Sequence, residues 1–184
     1  MIRAVLFLFL STAAVCAGEQ VVINFANAPT VKPDGIAIRL PKWEAGGVVF
    51  ALAHEPQRSK AKGLVMFFTH LSTGRKGIVC AMATEPIPVR ATFPAPVSSV
   101  TLEMWGSTAM PALLEAFDSE GKVVDHASLE SVPSRKTPGE PVPVFTMTVS
   151  GKRIAYIEFS GPREGEFLAA DEVRFTLAEN SNSE

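Results

Sequence analysis

From Val97 to Leu177 the chain repeats one pattern: short runs in which apolar and polar residues alternate, divided by turn residues roughly every ten positions. Val100-Thr101-Leu102-Glu103-Met104, Phe145-Thr146-Met147-Thr148-Val149 and Val173-Arg174-Phe175-Thr176-Leu177 each predict a strand with one dry face and one wet face. No helix-period segment separates them. Strand following strand in this way predicts an all-β fold, an antiparallel two-sheet β-sandwich or a barrel.

The first half is less regular. Val21 to Phe25 predicts a strand, and Asn27 to Lys42, with Pro29, Pro33 and Pro41, predicts a loop around a short strand at Ile36 to Leu40. Val48 to Ala53 and Leu64 to Phe68 are apolar without alternation, as expected of strands covered on both faces. Ile78 to Met82 and Pro88 to Phe93 follow as strands, with Pro86, Pro88, Pro94 and Pro96 expected at strand ends or edges. Two hairpins are predicted later, one turning at Asp118-Ser119-Glu120-Gly121 and one at Ser150-Gly151-Lys152. The stretch from Ser131 to Pro141, rich in proline, reads as a crossing connection or a functional loop.

Residues 1–17 break the pattern and have the three parts of a signal peptide. A basic start at Arg3 leads into an apolar run from Ala4 to Leu10, and Val15-Cys16-Ala17 ends it. The run is too short to span a bilayer, so cleavage near Ala17 and a secreted or periplasmic protein are expected. Residues 18–178 then form a single β-sandwich domain, and residues 179–184 a polar disordered tail. Cleavage leaves Cys80 without an intramolecular disulfide partner, set in an apolar run as a small buried hydrophobe. The 17 basic and 19 acidic residues nearly balance, which disfavours nucleic acid as a partner. No later run is long enough for a transmembrane helix, so no membrane span is expected in the mature chain.

Val97 to Leu102, Leu113 to Val124, Ile154 to Gly161 and Asp171 to Phe175 together resemble the galactose-binding-domain-like jelly-roll modules of exported bacterial proteins. The resemblance covers the second half of the chain. It implies two antiparallel sheets packed face to face, with ligands bound by loops at one end. In the sugar-binding members a carboxylate at the start of the last strand fixes a calcium ion with partners from the N-terminal region. Asp171 matches that position, and Asn24 and Asp34 are the partners this comparison would enlist; otherwise no cofactor is expected.

Three aromatic residues are candidates for a sugar platform, because a flat ring stacks on the apolar side of a pyranose: Trp43, Trp105 and Tyr156. Alternation puts Trp105 on the face of Thr101 and Glu103, which turns it outward, while the plainer role for all three is packing. His54, His70 and His126 lack metal-ligand spacing. Gly106-Ser107-Thr108-Ala109 lacks the second glycine of a nucleophile elbow, and no glycine-rich phosphate loop opens a helix. Glu115, Asp118, Asp125, Glu158, Glu164 and Glu166 offer carboxylates that only proximity in space would pair. The expected function is a secreted, non-enzymatic binding module for carbohydrate or an extracellular protein surface. The alternatives are an assembly protein of the cell envelope that binds a protein partner and, third, a hydrolase.

Overall fold

The computed structural model describes residues 18–29, 39–57, 65–69, 74–80, 85, 87–106, 109–137, 139–160 and 168–179. The leader, the tail beyond residue 179, Asp34, His70, Ser107 and Gly161 to Phe167 lie outside the described residues. Among the described residues eleven strands run in chain order. They are β1 (Gln20–Asn24), β2 (Arg39–Leu40), β3 (Lys42–Ala45), β4 (Val48–Leu52), β5 (Val65–Thr69), β6 (Lys76–Cys80), β7 (Val89–Gly106), β8 (Ala112–Phe117), β9 (Val123–Leu129), β10 (Phe145–Ser160) and β11 (Leu168–Leu177). Every pairing is antiparallel. The protein is an all-β antiparallel sandwich.

Two long strands make the sandwich. Through its first residues β7 pairs with β4 and with the end of β10, and through its last residues it pairs with β11 and the start of β10. One layer is therefore β3-β4-β7-β10-β8-β9, and the other carries β2-β5-β6-β11-β7-β10, with β1 also on β11. Hydrogen bonding passes unbroken between the layers because β7 and β10 belong to both. The bend is written in their register. From Ile154 to Tyr156 β10 advances two residues while β7 advances five, from Thr92 to Val97. Pro94 and Pro96 fall in that surplus, where the missing N–H donors are not needed by a ladder.

This corrects two sequence expectations. The prolines lie inside an 18-residue strand rather than at its ends. Ser150-Gly151-Lys152 is not a hairpin but an irregularity within the 16-residue β10. Its backbone stays out of the left-handed region that marks Gly46, Gly47 and Gly121, so the chain bulges and continues. Two hairpins show the contrast. Ala45 pairs with Val48 across Gly46 and Gly47, with φ of 56° and 76°, the positive pair that a two-residue turn requires. At the other, Gly121 has φ 82°, and Asp118 accepts the Glu120 and Lys122 N–H groups through Oδ1.

Between the layers lies one core that joins Ile23 of β1 to Phe175 of β11. Val100, Leu102 and Met104 are fully buried from β7, and Leu114, Ile157 and Val173 meet them from β8, β10 and β11. An aromatic cluster closes one side: Phe25 lies 5.4 Å from Phe50 and 5.8 Å from Phe67, ring to ring. Burial of such side chains is the main favourable term for a β-sandwich, about 1.5–3 kcal/mol for each Val, Leu, Ile or Phe.

Candidate functional site

The outward face of the first layer carries its chemistry in rows set by register. Along β7, Val89 and Ala91 point into the core, so Arg90 and Thr92 point out; along β10, Ile157 and Phe159 point in, so Tyr156, Glu158 and Ser160 point out. One row, read across paired strands, runs Lys42, Ala51, Arg90, Glu158, Glu115, His126. The next runs Glu44, Val49, Thr92, Tyr156, Phe117, Val123.

Arg90 ties the rows together. Its Nε and Nη2 donate to Oε1 of Glu158 at 2.9 and 2.5 Å, and its guanidinium carbon sits 4.4 Å from the centre of the Tyr156 ring. Phe117 stacks on Tyr156 with 4.7 Å between centroids. Because β10 lies between β7 and β8, Arg90 and Phe117 approach Tyr156 from opposite sides. The result is a three-layer stack, guanidinium on phenol on phenyl, standing on the sheet. Both faces of Tyr156 are occupied, so the stack offers outward its ring edges, the Tyr156 hydroxyl and the side of Phe117 nearer β9. Beside it Glu158 and Glu115 are direct cross-strand partners. Like charges so placed repel. Arg90 on one side and the His126 position on the other bracket the pair.

The sequence candidates scatter around this face. Trp43 is on the opposite, inner side of the same layer: its partner Phe50 is fully buried, and the indole lies 5.2 Å from Phe25 and 5.2 Å from Phe67. Trp105 is on the face that alternation assigns to it, yet it is buried to 3% exposure among Val79, Val142 and Ala169, which corrects the expectation that it turns outward. The segment before β10 covers that part of the second layer through Val142. Gly77 permits the indole's approach, since a Cβ there would stand 3.2 Å from Trp105 Nε1. Trp43 and Trp105 thus belong to separate clusters and share no concave surface. Tyr156 is the one that faces out. Arg90, Glu115, Glu158 and Phe117 form the face with it, and alternation within their strands was the signal that could have marked them as outward.

Asn24 and Asp171 do come together. They line a hollow of about 510 Å³ with Ala26, Arg75, Lys76 and Glu172 on the outer side of the second layer. Asp171 is the extra residue of a bulge, since Ala170 pairs with Met104 and Glu172 with Glu103. It is 1% exposed, and among the described residues its Oδ2 has no hydrogen-bond partner. Burial raises its carboxyl to about 6, against the pull of Arg75, with Glu103 and Glu172 adding to the rise. Arg75 donates to Asp171 Oδ1 at 2.9 Å and to Glu103 Oε1 at 2.6 Å, and approaches Glu172 at 3.9 Å. Arg174 bonds Glu172 through Nε and reaches Glu103 at 3.4 Å. Among the described residues no group of three His, Cys, Asp or Glu can hold a metal ion, and no helix is long and apolar enough to cross a membrane.

No family model matches the chain, and none of the curated proteins does. Among solved structures it is similar to an adhesin domain of Lys-gingipain from Porphyromonas gingivalis W83, at 13% identity and a TM-score of 0.40, over 88% of this chain and 100% of that one. It is also similar to the CBM22-1 xylan-binding domain of Paenibacillus barcinonensis Xyn10C, at 13% identity and a TM-score of 0.35, over 89% and 98%. A third, TmCBM61 in complex with β-1,4-galactotriose, shares 13% identity at a TM-score of 0.39, over 61% and 81%. No residue role passes from them to this chain; the fold class stands on the strand pairing described above.

Proposed function

We propose that the protein is an exported carbohydrate-binding β-sandwich module whose ligand lies across the outer face of the β3-β4-β7-β10-β8-β9 layer. The observation that carries this reading is the row Arg90, Glu158, Glu115 on that face, flanked by the Phe117 and Tyr156 stack. Nothing in the fold requires two carboxylates to face each other on a solvated sheet, where threonines would pair at no electrostatic cost. A sugar gives them a use. Carboxylates accept from vicinal hydroxyls, the Tyr156 hydroxyl adds a donor and acceptor, and an aromatic side meets the C–H face of a pyranose. Arg90 holds both the carboxylate and the ring in place, so little side-chain freedom remains to be lost on binding. Export rests on the leader sequence read in residues 1–17.

A glycan array followed by calorimetry tests the proposal. Binding to a defined oligosaccharide family that falls at least tenfold in Glu115→Gln and Tyr156→Ala supports it. Absence of any glycan ligand, with a stoichiometric protein partner recovered from periplasmic or culture fractions, would instead favour an assembly role.

A further inference from the structure

The outer face of the first layer has a third row. Two residues along each strand from Glu158, Glu115 and His126, and so on the same face, stand Ser160, Leu113 and Ser128, paired across β10, β8 and β9. The step between the rows is about 7 Å along the strands. This row borders a hollow of about 370 Å³, which Ala112 and Leu129, the end pair of the β8–β9 ladder, close together with Pro111 and Glu130 just outside it. The hollow is chemically unlike the charged row beside it. Pro111, Ala112, Leu113 and Leu129 give apolar walls; Ser128 and Ser160 add two hydroxyls and Glu130 a carboxylate.

We infer that this hollow takes the acetamido group of an N-acetylhexosamine, which narrows the sugar ligand to glycans that carry one. The inference rests on the reading of the adjoining face as the sugar site and names the ligand class of that site. At about 370 Å³ the hollow lies near the small end of the range for ligand pockets, room for a substituent while the rings of an oligosaccharide stay on the open face. A ring lying over Glu158 and Glu115 has the hollow one row away. The walls decide which substituent suits it. A hydroxyl leaves the apolar side unfilled, a plain alkyl group takes the serine hydroxyls out of water without replacing their hydrogen bonds, and an anionic group meets Glu130. An acetamido group answers all three. Its methyl meets Leu113, Leu129 and Pro111, its carbonyl accepts from a serine hydroxyl, and its N–H donates to a hydroxyl or to the Glu130 carboxylate.

Calorimetry with two pairs of sugars, each pair alike but for 2-acetamido groups in place of 2-hydroxyls, tests this: triacetylchitotriose with cellotriose, and N-acetyllactosamine with lactose. In at least one pair the acetamido sugar should bind about tenfold tighter or more. Ser128 is exposed on an edge strand, so Ser128→Leu and the smaller, strand-favouring Ser128→Val should fold as wild type does while filling the hollow. Both should lose that preference and keep the affinity for the 2-hydroxyl sugar. Tyr156→Ala, on the face itself, should weaken both members of the pair alike. Should a glycan without an acetamido group bind in a Tyr156-dependent way while neither pair shows the preference, the inference is overturned and the sugar face stands. Variants filled at Ser128 that keep the preference overturn it as well, and absence of any glycan ligand removes the face and the hollow together.

Discussion

Phe117 and Tyr156 are cross-strand partners on β8 and β10, and their rings lie face to face, 8° from parallel. With Arg90 covering the other side of Tyr156, that ring is locked and the outer face of the layer gains a rigid ridge. Such stacked pairs contribute about 0.5–1.5 kcal/mol beyond their burial.

Removing the ridge should therefore affect binding and stability by separable amounts. Tyr156→Phe keeps both stacking contacts and loses the hydroxyl, so stability should change by less than about 1 kcal/mol while glycan affinity falls. Phe117→Ala should cost roughly 1–3 kcal/mol in urea unfolding and weaken binding as well. Equal effects of the two variants on both readouts would contradict the stack as drawn.

Trp105 should behave as core. Gly77→Ala would put a Cβ 2.8 Å from the Ala169 Cβ and 3.3 Å from the Ala170 carbonyl oxygen, so this single methyl should destabilise by about 1–3 kcal/mol. Glycan affinity of the folded variant should be unchanged, because Trp105 and the proposed sugar face lie on different layers. Chemical denaturation and calorimetry on the same sample check both halves.

Asp171 sets a pH dependence with a definite sign. Its folded carboxyl titrates at about 6 against 3.8 unperturbed, so between those values the folded state binds more protons than the unfolded chain. Stability from this group accordingly falls as pH rises through that window, and the full cost is present above about 6. Asp171→Asn removes the titration. Urea unfolding at several pH values should show wild type gaining on D171N by up to about 2–3 kcal/mol between pH 7 and pH 4. Parallel stability curves would contradict the burial of this carboxylate.

Strand identity was largely legible because short apolar runs report it directly: β1, β4 and β5 lie within a residue of the runs at Val21 to Phe25, Val48 to Ala53 and Leu64 to Phe68, and Val173 to Leu177 falls inside β11. Asp118 and Gly121 likewise announced their hairpin, since side-chain capping and a left-handed glycine are local properties. Ser150-Gly151-Lys152 misled for the opposite reason. Whether such a triplet turns or bulges depends on whether the chain beyond it finds the same neighbour, and here both halves of β10 pair with β7. Alternation could not be applied to Trp43 without knowing that Lys42–Ala45 is a strand at all; once paired with β4, its indole has to point inward with Phe50. The site was hidden more deeply. Arg90, Glu115 and Glu158 are individually ordinary outward residues, and only strand order, a long-range property, sets them side by side.

The proposed function puts the sugar across the outer face of the first layer. The most direct measurement is an NMR titration of the isotope-labelled protein with the best oligosaccharide from the array. Shift changes should concentrate on the amides and side chains of Arg90, Glu115, Phe117, His126, Tyr156 and Glu158. Changes centred instead on the residues around Trp43, or spread over the Asn24 hollow with that face silent, would rule out sugar binding there.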